Sequence, residues 1–292
     1  MYPKIILGSL ELSSTNVFHL IGATGLLIYC LFTRKKYNIT KAMAVFYSVF
    51  LVCAGLVEFR IMGKIQSALL EITSSGELVL ETSRRILGVM LFQPIVIFVL
   101  SFFTGDKFRK IADFIAPGTF ICFVFGKIAC LLEGCCYGYP DTNGVYSAIC
   151  KTNVFPVQLY ESLSAVVVVA ILTVLLSDKI RLRKGSLFPI GSILYSVVRI
   201  FWENYRYYDN QWEKEFFLGM NFWQTVCVVV IIISVIWLIV LYTKSEYAEC
   251  SFESCKDTLI TKGIAVYKKY KLDKRKKSTN YKPIVHSKKK RK

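Results

Sequence analysis

Seven apolar runs, near residues 16–33, 42–59, 86–103, 111–133, 157–177, 185–203 and 215–243, constrain this chain more than any other feature. Each is of the order of the roughly 17–25 residues that a helix needs to cross a bilayer. Lipid offers backbone N–H and C=O groups no partners but one another, so runs of this kind become helices. The chain therefore reads as all-α, a polytopic membrane protein with seven transmembrane helices. The stretch VCVVVIIISVIWLIVLY in the last run carries no charge, whereas single polar residues interrupt the third and fourth.

The charges are segregated between these runs. RKKYNITK follows the first, GDKFRK the third and DKIRLRK the fifth, and residues 244–292 hold 16 of the 37 Lys and Arg against 5 acids. The intervening loops are balanced in sign. An excess of Lys and Arg marks the cytoplasmic side, which puts the N-terminus outside and the C-terminus in the cytoplasm. Two parts follow, a membrane domain over 1–243 and a basic tail over 244–292. The tail is expected to be disordered and to lie on anionic headgroups; no nucleic acid partner is expected. The start, MYPKIILGSLELSSTNVF, lacks the pattern of a cleaved secretory signal, so the first span is expected to stay.

Polar residues inside the runs are the candidate site. In LYSVVRIFWENYR, residues 194–206, Arg199 and Glu203 stand where lipid is expected. A cation at bilayer depth costs at least about 2.5–3.5 kcal/mol. Four residues apart on a helix, the two share a face and can pair, and Tyr195 lies one turn earlier on that face. Such a stripe is either a functional site or an ion pair that locks helix packing. The fourth run ends FVFGKIACLLEGCCYGYP, with Lys127 inside it, Glu133 at its outer end, and Gly126, Gly134 and Gly138 allowing close approach of a helix or ligand. Lys127 sits about seven residues, roughly 10 Å, from that end, which is deep for snorkelling and favours a polar cavity. The fifth run opens NVFPVQLYES, where Pro156 suits a helix start and Gln158 and Glu161 share a face, either as site residues or as a wet helix end. Lys127 and Arg199 then lie at similar depth in the outer half of the bilayer. The anion that suits them is a phospholipid headgroup.

Of the ten cysteines, Cys30, Cys53, Cys122 and Cys227 lie in apolar runs and Cys250 and Cys255 in the tail. Cys130, Cys135, Cys136 and Cys150 gather at or beyond the outer end of the fourth run. Their C-x4-CC-x13-C spacing fits zinc patterns poorly, and a disulfide among them is the favoured alternative. No metal and no cofactor are expected.

These segments resemble the prolipoprotein diacylglyceryl transferase family. VFPVQLYES is similar to the family's H-P-x-Q-L-Y-E stretch, and GSLFPIGSILYSVVRIFWENYR to its Y-x-x-x-R-x-x-x-E helix. GKIACLLEGCCYG is similar to its signature G-R-x-G-N-F-x-N-G-E-x-x-G. The resemblance implies a seven-span enzyme of the bacterial plasma membrane that moves diacylglyceryl from phosphatidylglycerol to the cysteine thiol of an exported lipoprotein precursor, releasing glycerol phosphate. It gives Arg199, Glu203, Tyr195 and Glu161 catalytic roles. It assigns substrate binding to Lys127, Gly126, Glu133, Gly134, Gly138 and Gln158. The chain also departs from the pattern. Lys127 replaces the signature arginine, Cys130 its asparagine and Cys135 its glutamate, with Glu133 two residues away. The His-Gly-Gly element of the third span falls on ILGVML and keeps only Gly88, while Phe155 and Thr15 stand for a histidine and a tyrosine. His19 and His286 are the two histidines, so Glu203 or Glu161 is favoured over His19 as base or orienter.

Two function classes follow, a divergent diacylglyceryl transferase and a non-catalytic phospholipid-binding protein on the same scaffold. A transporter or channel is disfavoured, because the inner halves of the runs hold few ionisable residues.

Overall fold

The computed structural model describes residues 4–7, 10–73, 87–147, 149–177, 180, 182–208 and 216–243. A short antiparallel hairpin, β1 (Lys4–Leu7) with β2 (Leu10–Ser13), leads into α1 (Ser14–Thr33). Next come α2 (Lys41–Thr73), α3 (Leu87–Thr104) and α4 (Phe108–Glu133). A second hairpin, β3 (Pro140–Ser147) with β4 (Thr152–Val154), precedes α5 (Val157–Leu175), α6 (Leu187–Glu203) and α7 (Phe222–Thr243). The tail beyond Thr243 lies outside the described residues.

Six of these helices are long and apolar enough to cross a membrane. The exception is α6, which has 17 residues and carries Arg199 and Glu203. The structure is thus helical as expected, with two hairpins in addition. The second hairpin occupies the loop expected at 134–156, where Val145 pairs with Val154 and Ser147 with Thr152. Two helix boundaries also differ from the apolar runs. Helix α2 continues past residue 59 to Thr73. Helix α7 starts at Phe222 rather than 215, because Leu218 and Gly219 adopt positive φ and turn the chain. Asn221 then caps the helix: its Oδ1 accepts from Gln224 N–H at 2.7 Å, and Gln224 Oε1 accepts from Asn221 N–H at 3.0 Å.

Helix α4 is the centre of the bundle, packed against α1, α3, α5 and α6. Small residues make the approach possible, as they do where helices pack without a hydrophobic drive between them. A Cβ at Gly118 would sit 2.3 Å from Leu26 Cδ1, and one at Gly191 would sit 2.4 Å from Phe120 Cε2. Large apolar side chains point outward instead, among them Leu20, Phe32, Phe103, Val174 and Ile236. In water such a surface would aggregate; against acyl chains it is at rest.

Each end of α4 ties down a neighbour. Near its start, buried Asp113 accepts from the backbone N–H of Gly185 at 2.6 Å and of Leu187 at 2.9 Å, satisfying amides at the head of α6. At its other end Gly134 takes the left-handed conformation and donates to Cys130 O at 3.0 Å. The chain that follows runs between the start of α5 and the end of α6. Gly138 N–H donates to Phe155 O, Tyr139 N–H to Tyr205 O and Tyr207 N–H to Tyr137 O, all at 3.0–3.1 Å.

Candidate functional site

The helix starts and stops just described bring five charged side chains to one buried point. Glu161, on the first turns of α5, is the hub. It accepts Lys127 Nζ of α4 at 2.6 Å and Arg206 Nη2, just past α6, at 2.8 and 2.9 Å. It also pairs with Arg199 of α6. Glu203 lies one turn from Arg199, with Oε2 2.9 Å from its Nε, and reaches toward Arg206 Nε at 3.7 Å. All five are between 1% and 4% exposed, so none of this is surface pairing. Three cations face two carboxylates, and the cluster carries a surplus of positive charge.

Around the cluster lie polar groups whose hydrogen bonding is incomplete. Tyr195, held between the rings of Phe120 and Phe123, is 2% exposed, and its hydroxyl has no hydrogen-bond partner among the described residues. Gln158 donates from Nε2 to Cys135 O at 2.6 Å, while its Oε1 is buried and unpartnered among the described residues. Buried polar atoms in folded proteins are nearly always satisfied, so unpartnered groups on the two helices that carry the cluster are candidates for contact with a polar ligand.

The structure brings Lys127, Glu161, Arg199 and Glu203 together and sets Tyr195 and Gln158 among the buried residues, so the start of α5 is not a wet helix end. Lys127, expected in a polar cavity, points its ammonium at Glu161. Glu133 is not in the cluster. It is exposed, with Oε2 3.9 Å from Cys135 Sγ. Gly126 and Gly134 are buried on α4 and at its cap. Gly138 serves a backbone seam: an added Cβ would meet Phe155 O and Tyr205 O at 2.7 Å each. His19 is half-buried on α1, and His286 lies outside the described residues.

Two buried charged residues were not among those the sequence singled out. Arg206 lies three residues past Glu203, beyond the end of α6, and is carried to Glu161 by the pairing of its segment with Gly138. Its only sequence signal is an arginine in step with Arg199 and Glu203. Glu58 is a lone acid in the second apolar run. It is 3% exposed, and its carboxylate has no hydrogen-bond partner among the described residues. Its backbone oxygen lies 2.7 Å from where a Cβ on Gly88 would be, so α2 and α3 touch where the third-span motif was expected.

Cys130, Cys135, Cys136 and Cys150 are free thiols. The sulfurs of the first three lie within 4.8 Å of one another, and Cys150 is not in that group. Hydrogen bonding from Cys130 and Cys135, with the charges of Arg206 and Lys127 behind it, holds the Cys136 thiol well below the usual thiol range. Cys130 and Cys136 push Cys135 the other way, upward.

An aromatic collar surrounds this end of the bundle. Tyr160 stacks on Phe155 at 5.0 Å and on Trp202 at 4.9 Å, and Tyr137 stacks on Tyr207 at 5.9 Å. Tyrosine and tryptophan gather where hydrocarbon meets headgroups.

A bundle with six helices apolar and long enough to cross a bilayer, and a cationic cluster buried beside an aromatic collar, defines a multi-pass membrane protein with a charged interior site. The sequence profile of the prolipoprotein diacylglyceryl transferases matches residues 6–240. The chain belongs to that family. It is 22% identical over 252 residues to the phosphatidylglycerol–prolipoprotein diacylglyceryl transferase of Dehalococcoides mccartyi strain 195, covering 83% of this chain and 94% of that protein. The enzyme of the same name from strain BAV1 is 23% identical over 206 residues, covering 66% of this chain and 77% of that protein.

Proposed function

We propose that the chain is a diacylglyceryl transferase that takes its diacylglyceryl group from phosphatidylglycerol and gives it to the cysteine thiol of a lipoprotein precursor. The observation that carries the reading is the buried excess of cation at Glu161, next to the unpartnered Tyr195 hydroxyl. A phosphodiester brings one negative charge and acceptor oxygens, which answer both.

In the reaction the acceptor sulfur forms a bond to the terminal glyceryl carbon while that carbon's bond to the phosphate oxygen breaks. The electron pair leaves with glycerol phosphate, and the thiol proton goes to a base. Negative charge therefore grows on the phosphate, where Arg199, Arg206 and Lys127 are already desolvated and in place. Glu161 holds the three cations at one point. Glu203, the less fully engaged carboxylate, is the favoured base. All seven helices span the membrane in this reading, with α6 admitted because its charges are paired inside the bundle. The N-terminus faces outward, the C-terminus the cytoplasm, and the basic tail rests on anionic lipid.

A second reading, a phospholipid-binding protein without catalysis, is favoured by one observation. Lys127, Cys130, Cys135 and the ILGVML stretch replace an arginine, an asparagine, a glutamate and a histidine of the family pattern. Complementation in cells depleted of their own diacylglyceryl transferase separates the two. Conversion of a lipoprotein precursor to its lipidated form is expected, and Arg199→Ala is expected to abolish it while the protein remains inserted. Bound phospholipid without conversion would favour the second reading. Undiminished conversion by Arg199→Ala would sink the mechanism.

A further inference from the structure

The thiols at the end of α4 are not explained by phosphate handling. Cys130, Cys135 and Cys136 converge because the helix stops between them. Gly134 turns left-handed at φ 84 and folds back on Cys130 O, and Cys136 follows with φ 60. That region is strained for any residue with a Cβ, and such strain persists where the surroundings repay it. The turn also explains how a C-x4-CC spacing, unlike the usual C-x2-C pair, delivers three sulfurs to one place. They stand within 4.8 Å of one another, and Glu133 Oε2 stands 3.9 Å from Cys135 Sγ.

We propose that Cys130, Cys135 and Cys136 bind a zinc ion, with Glu133 closing the fourth position. Zinc–sulfur bonds of about 2.3 Å in a tetrahedron place sulfurs about 3.8 Å apart, and a carboxylate oxygen about 3.5 Å from each. Side-chain movements of about 1 Å convert the present sulfur spacing into that one, and Glu133, now close to Cys135 alone, turns toward the other two sulfurs to close the fourth position. Thiolates select soft d10 ions and iron–sulfur clusters. A fourth ligand of oxygen on the exposed side suits zinc better than copper(I), which is content with sulfur alone, and four sulfurs would be needed for a cluster. Lys127 and Arg206 act electrostatically on Cys136 and offset the negative charge that three thiolates bring. Gln158 is bonded to Cys135 O at 2.6 Å, so the ion would fix the loop that joins α4 to α5. The site borders the cluster proposed to hold phosphate, through Lys127, Arg206 and Gln158, but its metal content is read without turnover and holds whether or not the chain is an enzyme.

Elemental analysis of the full-length protein, purified in detergent from zinc-replete cells, tests this directly. About one zinc per chain is expected to survive dialysis. Cys130→Ser and Cys136→Ser should each lower the content by about tenfold or more, while Cys53→Ser, a change at an exposed thiol on α2, should leave it alone. If the serine variants fold poorly, the unaltered protein still decides the matter: stripping with a strong chelator should expose three further thiols to alkylation. Metal-free protein with all three thiols already reactive would overturn the assignment. So would a disulfide among them in the purified chain, copper in place of zinc, or equal loss of metal in Cys53→Ser.

Discussion

Glu161 decides the fate of three cations, and that asymmetry is testable. Changing one partner of a buried ion pair leaves its mate desolvated and uncompensated, at about 3–5 kcal/mol. Glu161→Gln orphans Lys127, Arg199 and Arg206 together, so it is expected to destabilise the bundle by at least that much. Glu203→Gln, which leaves Glu161 in place, should cost clearly less. Thermal unfolding in detergent compares the two, and equal losses would contradict the hub. Tyr195 predicts the opposite pattern. Its hydroxyl bonds to nothing among the described residues, so Tyr195→Phe should change stability by less than about 1 kcal/mol. If that hydroxyl donates to the phosphate as charge develops, transfer should fall by about 100-fold, measured as precursor conversion at matched protein levels. Such residues were legible unequally. Tyr195, Arg199 and Glu203 stand at helical spacing, which the sequence displays. The pairing of Lys127 with Glu161 joins two helices and leaves no local trace. Arg206 keeps step with Glu203 in the sequence, but it reaches Glu161 through a backbone bridge beyond the last helical turn, which the spacing alone does not reveal.

At the scale of elements, the length of apolar runs foretold the helices but not what happens between them. The 137–139 segment is three residues of strand-like backbone, too short and too polar in its neighbours to announce itself. Yet it stitches α5 to α6 and sets Arg206 opposite Gly138. Gly138 has no room for a side chain, with two carbonyl oxygens 2.7 Å from any added Cβ. Gly138→Ala must therefore part the seam, at about 1–3 kcal/mol for an overpacked site. Because the seam carries Arg206, phospholipid retention by the purified protein should fall as well, with Arg199 untouched. A variant that loses stability but keeps its full complement of phospholipid would separate the seam from the site. The other boundaries follow the same logic. Helix α7 starts late because Asn221 and Gln224 cap each other after a left-handed turn, a device of side chains and φ angles that hydropathy does not register.

For the whole molecule the open question is which way it lies in the membrane. An apolar exterior and a buried charge cluster fix the bundle in lipid, but they are indifferent to its orientation. The loop charges break that symmetry. The turn after α1 carries Arg34, Lys35 and Lys36, and the start of α4 carries Lys107 at its cap and Arg109 and Lys110 in its first turn, while the β3–β4 hairpin has little charge. Cationic loops are retained in the cytoplasm, so the hairpin, the aromatic collar and the ion cluster should face out, where an exported precursor waits. Two exposed positions report on this, Asn143 in the hairpin and Lys35 after α1. In intact cells a membrane-impermeant maleimide should add label to Asn143→Cys over the parent protein and none to Lys35→Cys, which should react only after permeabilisation. The reverse result would put the cluster on the cytoplasmic side, away from any exported acceptor. The phosphate chemistry at Glu161 could then survive, but the acceptor could not be a precursor already across the membrane.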